Sequence, residues 1–126
     1  MPSSHRTFLV GIADGSADVR SALHCLVEQE EGCRVIAEDA SAQTLLRTLS
    51  TNVPDILFLD AALPGGTPDG LQLLKRDHPG LTVILMSPDA CPRCKVPATV
   101  CCVISKKDPP EAVRQALQDA CLRCGA

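Results

Sequence analysis

The sequence predicts an α/β fold: a doubly wound parallel sheet with helices on both faces. Three observations carry this. Short apolar runs alternate with longer segments of helical periodicity, the order that builds parallel strands joined by right-handed crossovers. Ile56, Leu57, Phe58 and Leu59 form an apolar run bounded by Pro54 and by Pro64-Gly65, which reads as a strand buried on both faces. That run ends abruptly in a carboxylate, Asp60. Open parallel sheets bind ligands at the carboxyl ends of their strands, so Asp60 is the first candidate functional residue. The plainer role for such a residue is to cap the following turn.

The composition narrows the function classes. A chain of 126 residues is enough for one domain with one core. The expected unit spans 1–126, with a core of about 8–122 and no output domain. With two Phe and neither Trp nor Tyr, the core must be aliphatic, and base-stacking platforms are missing. A net charge of −3 argues against nucleic acid as a partner of this chain alone. No apolar run approaches the ~20 residues of a membrane span, and 8–13 is too short for a signal-peptide core, so no membrane partner is expected. The expected compartment is the cytoplasm, where the eight Cys would be thiols or metal ligands.

In chain order, residues 8–13 read as the first strand, ending at Asp14-Gly15. Ser16 caps a helix over about 17–29, with Val19, Ala22, Leu23, Leu26 and Val27 on one face. Residues 33–37 form a less apolar edge strand. A second helix over 41–49 turns Leu45, Leu46 and Leu49 inward. After the strand ending in Asp60, a Gly/Pro-rich loop over 63–70 leads to a short helix over about 71–76. Residues 81–86 and 100–104 are the fourth and fifth strands, ending at Ser87 and at Lys106-Lys107. Asp108-Pro109-Pro110-Glu111 starts the last helix: a capping Asp, prolines in the first turn and a capping-box Glu. That helix runs to about 122, with Val113, Ala116, Leu117 and Ala120 inward. Between strands four and five, Pro88, Pro92 and Pro97 forbid a regular helix of more than about one and a half turns.

Four of the five strands thus end in polar groups: Asp14, Asp60, Ser87 and Lys106 or Lys107. Two acids side by side can hold Mg²⁺. A lysine neutralises a phosphoryl group and a hydroxyl can hydrogen-bond to it. The set suits an Asp that accepts a phosphoryl group.

On these residues the chain resembles the receiver domain of bacterial two-component response regulators, nearest the branch that precedes helix-turn-helix output domains. The resemblance covers roughly 8–120. It rests on Ile12-Ala13-Asp14, on Pro54-Asp55 and the run to Asp60, on Leu63-Pro64-Gly65, Asp69-Gly70 and Ser87, and on Lys106 with Pro110-Glu111. It implies a flavodoxin-like sheet in the order 2-1-3-4-5. It implies that Asp60 is the phosphoacceptor and Ser87 the switch hydroxyl, with Lys106 as the family's lysine and Lys107 as the runner-up. Asp14, Asp60 and the backbone carbonyl of Ala62 would hold Mg²⁺. A sensor histidine kinase or phosphotransfer protein and a downstream protein are the implied partners, and the domain is not itself an enzyme. The sequence also departs from the family pattern. Gly15 stands where the second acid of the pair belongs, which weakens the expected Mg²⁺ binding. The loop after Asp60 is about two residues longer, Val103 replaces the switch aromatic, and the fourth-helix segment is short and broken by prolines.

Two C-x-x-C pairs, Cys91/Cys94 and Cys121/Cys124, flank Cys101-Cys102. Such pairs are a zinc signal, with Cys94, Cys101, Cys102, Cys121 and Cys124 as candidate ligands at the sheet edge opposite Asp60. Simple core fillers and exposed thiols explain them more plainly. A redox dithiol at Cys91/Cys94 is a weaker reading still. Cys25 and Cys33 read as core or near-core residues, and His5, His24 and His78 as surface or helix-face residues. Three functions therefore remain open: a phosphoaccepting receiver, a pseudo-receiver that binds proteins without phosphorylation, and a zinc- or thiol-sensing module on the same fold.

Overall fold

The computed structural model describes residues 6–48, 50, 52–87 and 100–125. Five strands, β1 (Phe8–Ala13), β2 (Cys33–Asp39), β3 (Ile56–Asp60), β4 (Thr82–Ser87) and β5 (Val100–Ser105), form one parallel sheet in the order β2-β1-β3-β4-β5. The described helices are α1 (Ala17–Gln29), α2 (Ala42–Thr48), α3 (Pro68–Asp77) and α4 (Pro110–Gly125), with a 3₁₀ turn over Pro64–Gly66. The doubly wound fold and its strand order are those expected. The proline-rich segment 88–99 and Leu49 lie outside the described residues.

Strand alternation sorts the core into two layers. Val10, Ile12, Ile56, Phe58, Ile84, Met86 and Ile104 face one way and pack against Leu23 and Val27 of α1 and Val113, Ala116, Leu117 and Ala120 of α4. Ala13, Leu57, Leu59, Val83 and Leu85 face the other way, against Ala42, Leu45 and Leu46 of α2 and Leu71 of α3. β3 is buried along its whole length, as a central strand covered on both faces must be.

Several boundaries differ from expectation for local reasons. β2 continues to Asp39, because the Asp39 carbonyl accepts from Asp14 N at 3.1 Å; four of the five strands thus end in a polar residue, and β1, which ends at Ala13, is followed directly by Asp14. α3 begins at Pro68, not near Leu71. Thr67 caps it by accepting from Gly70 N at 3.1 Å, and Pro68 occupies the first turn, where its missing N–H costs nothing. Cys25 is exposed rather than near the core, since two residues on from Leu23 is about 200° around the helix. Cys33 is half-buried against the α1/α4 layer.

Two glycines allow the loop after β3 to fold back on itself. A Cβ on Gly66 would sit 2.6 Å from the Asp60 carbonyl oxygen and 2.7 Å from Ala61 Cα. One on Gly70 would collide with the Pro64 carbonyl oxygen. These neighbours are backbone and cannot swing aside. Gly66→Ala is therefore expected to cost about 2 kcal/mol or more in urea denaturation, whereas Gly15→Ala, with nothing within 4 Å of its Cβ, should change stability by less than about 0.5 kcal/mol. Equal stabilities for the two variants would show that the loop relaxes freely.

Candidate functional site at the carboxyl edge of the sheet

The site is built from the ends of β1, β3, β4 and β5. β1 and β3 are hydrogen-bonded neighbours, so Asp14 and Asp60, each at or just past its strand's end, come side by side. Asp14 is fully buried and Asp60 is 6% exposed. Asp14 Oδ1 accepts from Ser16 N at 2.8 Å, while the Ser16 hydroxyl accepts from Val19 N at 3.3 Å and caps α1. Asp60 Oδ1 accepts from Ala62 N at 2.9 Å. One oxygen of each carboxylate is thus spent on orienting it.

The second oxygens meet one ammonium. Lys106 Nζ lies 2.8 Å from Asp14 Oδ2 and 3.1 Å from Asp60 Oδ2. Burial alone would push this lysine down. The hydrogen bonds and charges of Asp14 and Asp60 outweigh burial and hold it above its ordinary value of 10.5. Of the two lysines weighed from the sequence, Lys106 reaches the carboxylates. Lys107 is exposed, and its backbone N–H donates to Ser105 Oγ at 3.0 Å.

The turn that aims Lys106 was not legible as such. Asp108, expected to cap the last helix, instead accepts from Ser105 N at 2.9 Å and donates its own N–H to the Ser105 carbonyl at 3.0 Å. Lys106 N donates to the Ser87 carbonyl at 2.8 Å, which ties the turn to β4. Asp108 therefore closes the loop carrying the lysine, and Ser105 is a buried polar residue with a positioning role. Arg20 was also missed; its Nη1 donates to the Asp14 carbonyl from α1.

Ser87 ends β4, one residue beyond Met86, which pairs with Asp60, and is itself paired with Ser105. By alternation it shares the parity of Leu85 and the α2/α3 layer, whereas Asp14, Asp60 and Lys106 follow the α1/α4 parity. Gly15 is exposed, is not in the left-handed region, and has nothing within 4 Å of the place a Cβ would take. Val103 is partly buried against the α2/α3 layer.

Oδ2 of Asp14 is buried and lacks a well-aligned hydrogen bond; its partner is the Lys106 ion pair. A buried, under-coordinated carboxylate oxygen beside a second carboxylate fits Mg²⁺, which takes one or two protein carboxylates and keeps several waters. The formal charge of the three groups is −1, from two acids and one lysine. Among the described residues no cluster of three or more His, Cys, Asp or Glu side chains could hold a metal ion. Of the candidate zinc ligands, Cys94 and the side chains of Cys101 and Cys102 lie outside what is described. Cys121 and Cys124 are half-buried at the opposite edge, and Cys121 faces Cys33, which was not in the candidate set. His24 pairs with Glu38 on the surface, and His78 ends α3.

The chemistry sits on an open edge and not in the cavity of about 550 Å³ between α2 and α3, which is lined by Ala42, Leu46, Gly65, Leu73 and Leu74 among others and includes neither Asp14, Asp60 nor Lys106.

With this geometry, comparison with known proteins is direct. The response regulator receiver domain model matches residues 10–118, and the chain belongs to that family, the flavodoxin-like receiver domains of two-component signalling. It is 34% identical over 79 residues to a protein-glutamate methylesterase/protein-glutamine glutaminase 1 of Cereibacter sphaeroides, spanning 60% of this chain and 21% of that protein. It is 33% identical over 79 residues to the nitrogen assimilation regulatory protein NtrX of Azorhizobium caulinodans, spanning 60% and 17%. The matched region is thus about a fifth of the length of these curated relatives. Among solved structures, RcsB of Salmonella enterica serovar Typhimurium, bound to promoter rprA with the phosphomimetic BeF3−, superposes with a TM-score of 0.80 at 22% identity, covering 90% of this chain and 67% of that one. The signal receiver domain of the putative response regulator NarL of Mycobacterium tuberculosis gives 0.73 at 17%, covering 94% and 98%. At these identities the structures show the shared fold. Among the described residues no helix is long and apolar enough to cross a membrane.

Proposed function

We propose that this receiver domain accepts a phosphoryl group on Asp60 from the phosphohistidine of a sensor histidine kinase or phosphotransfer protein. The observation that carries the reading is the single ammonium of Lys106 held between Asp14 Oδ2 at 2.8 Å and Asp60 Oδ2 at 3.1 Å. A carboxylate oriented by Ala62 N, with a cation already beside it, is set up for phosphoryl transfer, where positioning and charge neutralisation are most of the catalysis. A carboxylate oxygen of Asp60 attacks phosphorus in line, the O–P bond forms, the P–N bond to the donor histidine breaks, and the imidazole nitrogen leaves. Lys106 then shifts its attraction to the phosphoryl oxygens, and the Ser87 hydroxyl, which by alternation starts on the α2/α3 side, turns over the end of β4 to hydrogen-bond to one of them. Mg²⁺, held by Asp14, Asp60 and the Ala62 carbonyl, would supply further neutralisation of phosphoryl charge. On this reading the domain is a regulatory element without an enzymatic activity of its own, working in the cytoplasm and passing its state to a downstream protein.

Gly15 favours a second reading: a pseudo-receiver that binds its partner without phosphorylation, because the acidic pair is reduced to one member. The two part cleanly. With acetyl phosphate and saturating Mg²⁺, intact mass should show one added phosphoryl group, and Asp60→Asn should abolish it. A wild-type chain that gains no phosphoryl mass would hand the function to the second reading.

A further inference from the structure

The edge of the sheet opposite Asp60 carries a second juxtaposition that the phosphoryl chemistry does not use. Cys33 opens β2 and Cys121 lies in the last turns of α4, and their sulfurs are 3.6 Å apart although the residues are 88 positions apart in sequence. Both are half-buried against the α1/α4 layer. We propose that Cys33 and Cys121 are a modification site that closes a reversible disulfide by exchange with a low-molecular-weight disulfide such as oxidised glutathione.

The sulfurs need to approach by about 1.5 Å to reach the 2.03–2.05 Å bond length. Gly32, immediately before Cys33, turns in the left-handed region at φ 86°, and Cys33 is the first residue of β2, so the approach falls to rotation of the two side chains at the strand's start rather than within it. The neighbouring thiol does not compete. Cys124 directs its sulfur to Thr82 Oγ1 at 3.2 Å and the Asp55 carbonyl at 3.5 Å.

The exchange balances in two steps. One protein thiol, as its thiolate, attacks a sulfur of glutathione disulfide and expels one glutathione thiolate, leaving a mixed disulfide. The second protein thiol, again as thiolate, attacks the protein sulfur of that mixed disulfide and expels the second glutathione. Two electrons pass from the cysteine pair to glutathione, and the two thiol protons end on the two glutathione molecules released. Burial pushes Cys33 up and pushes Cys121 up to about 12, so little of either is thiolate near pH 7 and the exchange quickens as pH rises. Once formed, the bond fastens the C-terminal half of α4 to the edge strand β2 and restricts the unfolded chain across a long loop.

The test uses the full chain. It is incubated with oxidised glutathione, quenched in acid, and mapped without reduction using trypsin and a Glu-specific protease. Cleavage after Arg123 separates Cys121 from Cys124, and cleavage after Glu28, Glu30 or Glu31 separates Cys25 from Cys33. The expected product is a peptide pair joined through Cys33 and Cys121, with two thiols lost, a higher thermal midpoint, and full reversal by dithiothreitol. Cys33→Ser should remove both the linked peptides and the rise in midpoint. Glutathione adducts without the linked pair, a different pairing such as Cys121 with Cys124, or no loss of thiols would each overturn the proposal.

Discussion

Gly15→Asp should bind Mg²⁺ at least several-fold more tightly than the wild-type chain. The residue lies next to Asp14 at the mouth of the site, is exposed, is not in the left-handed region, and has open space around the position of its Cβ. A side chain there meets no steric or backbone penalty, so the consequence of the substitution is electrostatic. The formal charge of the cluster falls from −1 to −2, and a third carboxylate becomes available to a cation that prefers oxygen ligands. Several-fold is only about 1 kcal/mol, a modest demand on an added unit charge beside a divalent ion. The added like charge should also lower stability in the absence of metal and make stability more dependent on Mg²⁺ concentration. Gly15→Asn adds bulk without charge and should leave both affinity and stability near wild type. Titrations of the three proteins at one pH and ionic strength decide the matter. Equal affinities for wild type and Gly15→Asp would mean that Asp14 and Asp60 are not the metal site.

Lys106→Met should destabilise the fold by about 2–3 kcal/mol, a shift of roughly 1–2 M in urea midpoint. Asp14 is fully buried, and its Oδ2 has Lys106 as its ion-pair partner, so removing the ammonium strands a charge in the interior. The figure is set below the upper range for buried pairs because the lysine side chain is itself 22% exposed and partly screened. Adding Asp14→Asn to Lys106→Met should recover part of the loss, since the double variant leaves no unpaired charge at Asp14. Strict additivity of the two substitutions would argue that the ion pair contributes no coupling. The pH dependence has a definite sign. The folded-state lysine is held above its ordinary value of 10.5, so its contribution is fully present below that value and is lost as pH rises through the raised one. The stability gap between wild type and Lys106→Met should therefore persist up to about pH 10.5 and narrow above it.

The fold was readable because its strands are short aliphatic runs that stop at polar residues, and Asp14, Asp60, Ser87 and Lys106 mark those stops. Sheet topology brings such stops together, so most of the candidate site followed from the strand ends. What escaped was tertiary. Asp108-Pro109-Pro110-Glu111 has the local pattern of a helix start, yet the Asp108 carboxylate closes the preceding turn, a choice settled by where β5 delivers Ser105. Cys33 and Cys121 carry no spacing signal, since their meeting depends on where α4, packed beside α1, brings its last turns relative to the start of β2. The C-x-x-C spacing drew attention to Cys124 as a partner for Cys121, while Cys124 turns to Thr82. Whether Gly15 needed its lack of a side chain could not be read from its identity, because glycine is used both for left-handed backbone and for open space.

The sorting of β3 into alternate faces sets a rule for changes in chain length. Ile56 and Phe58 face α1 and α4, Leu57 and Leu59 face α2 and α3, and Asp60 inherits the parity of the first pair, as Asp14 inherits that of Val10 and Ile12. One residue inserted or deleted within β1 or β3 would exchange the two packing layers and swing the terminal carboxylate to the opposite face, away from Lys106. An insertion of two would preserve the faces and displace the carboxylate by about 7 Å along the strand, which also breaks the bridge. Insertions and deletions that keep the charged cluster intact are therefore confined to the connections, and the strands that carry Asp14 and Asp60 are fixed in length from their first buried residue to their carboxylates.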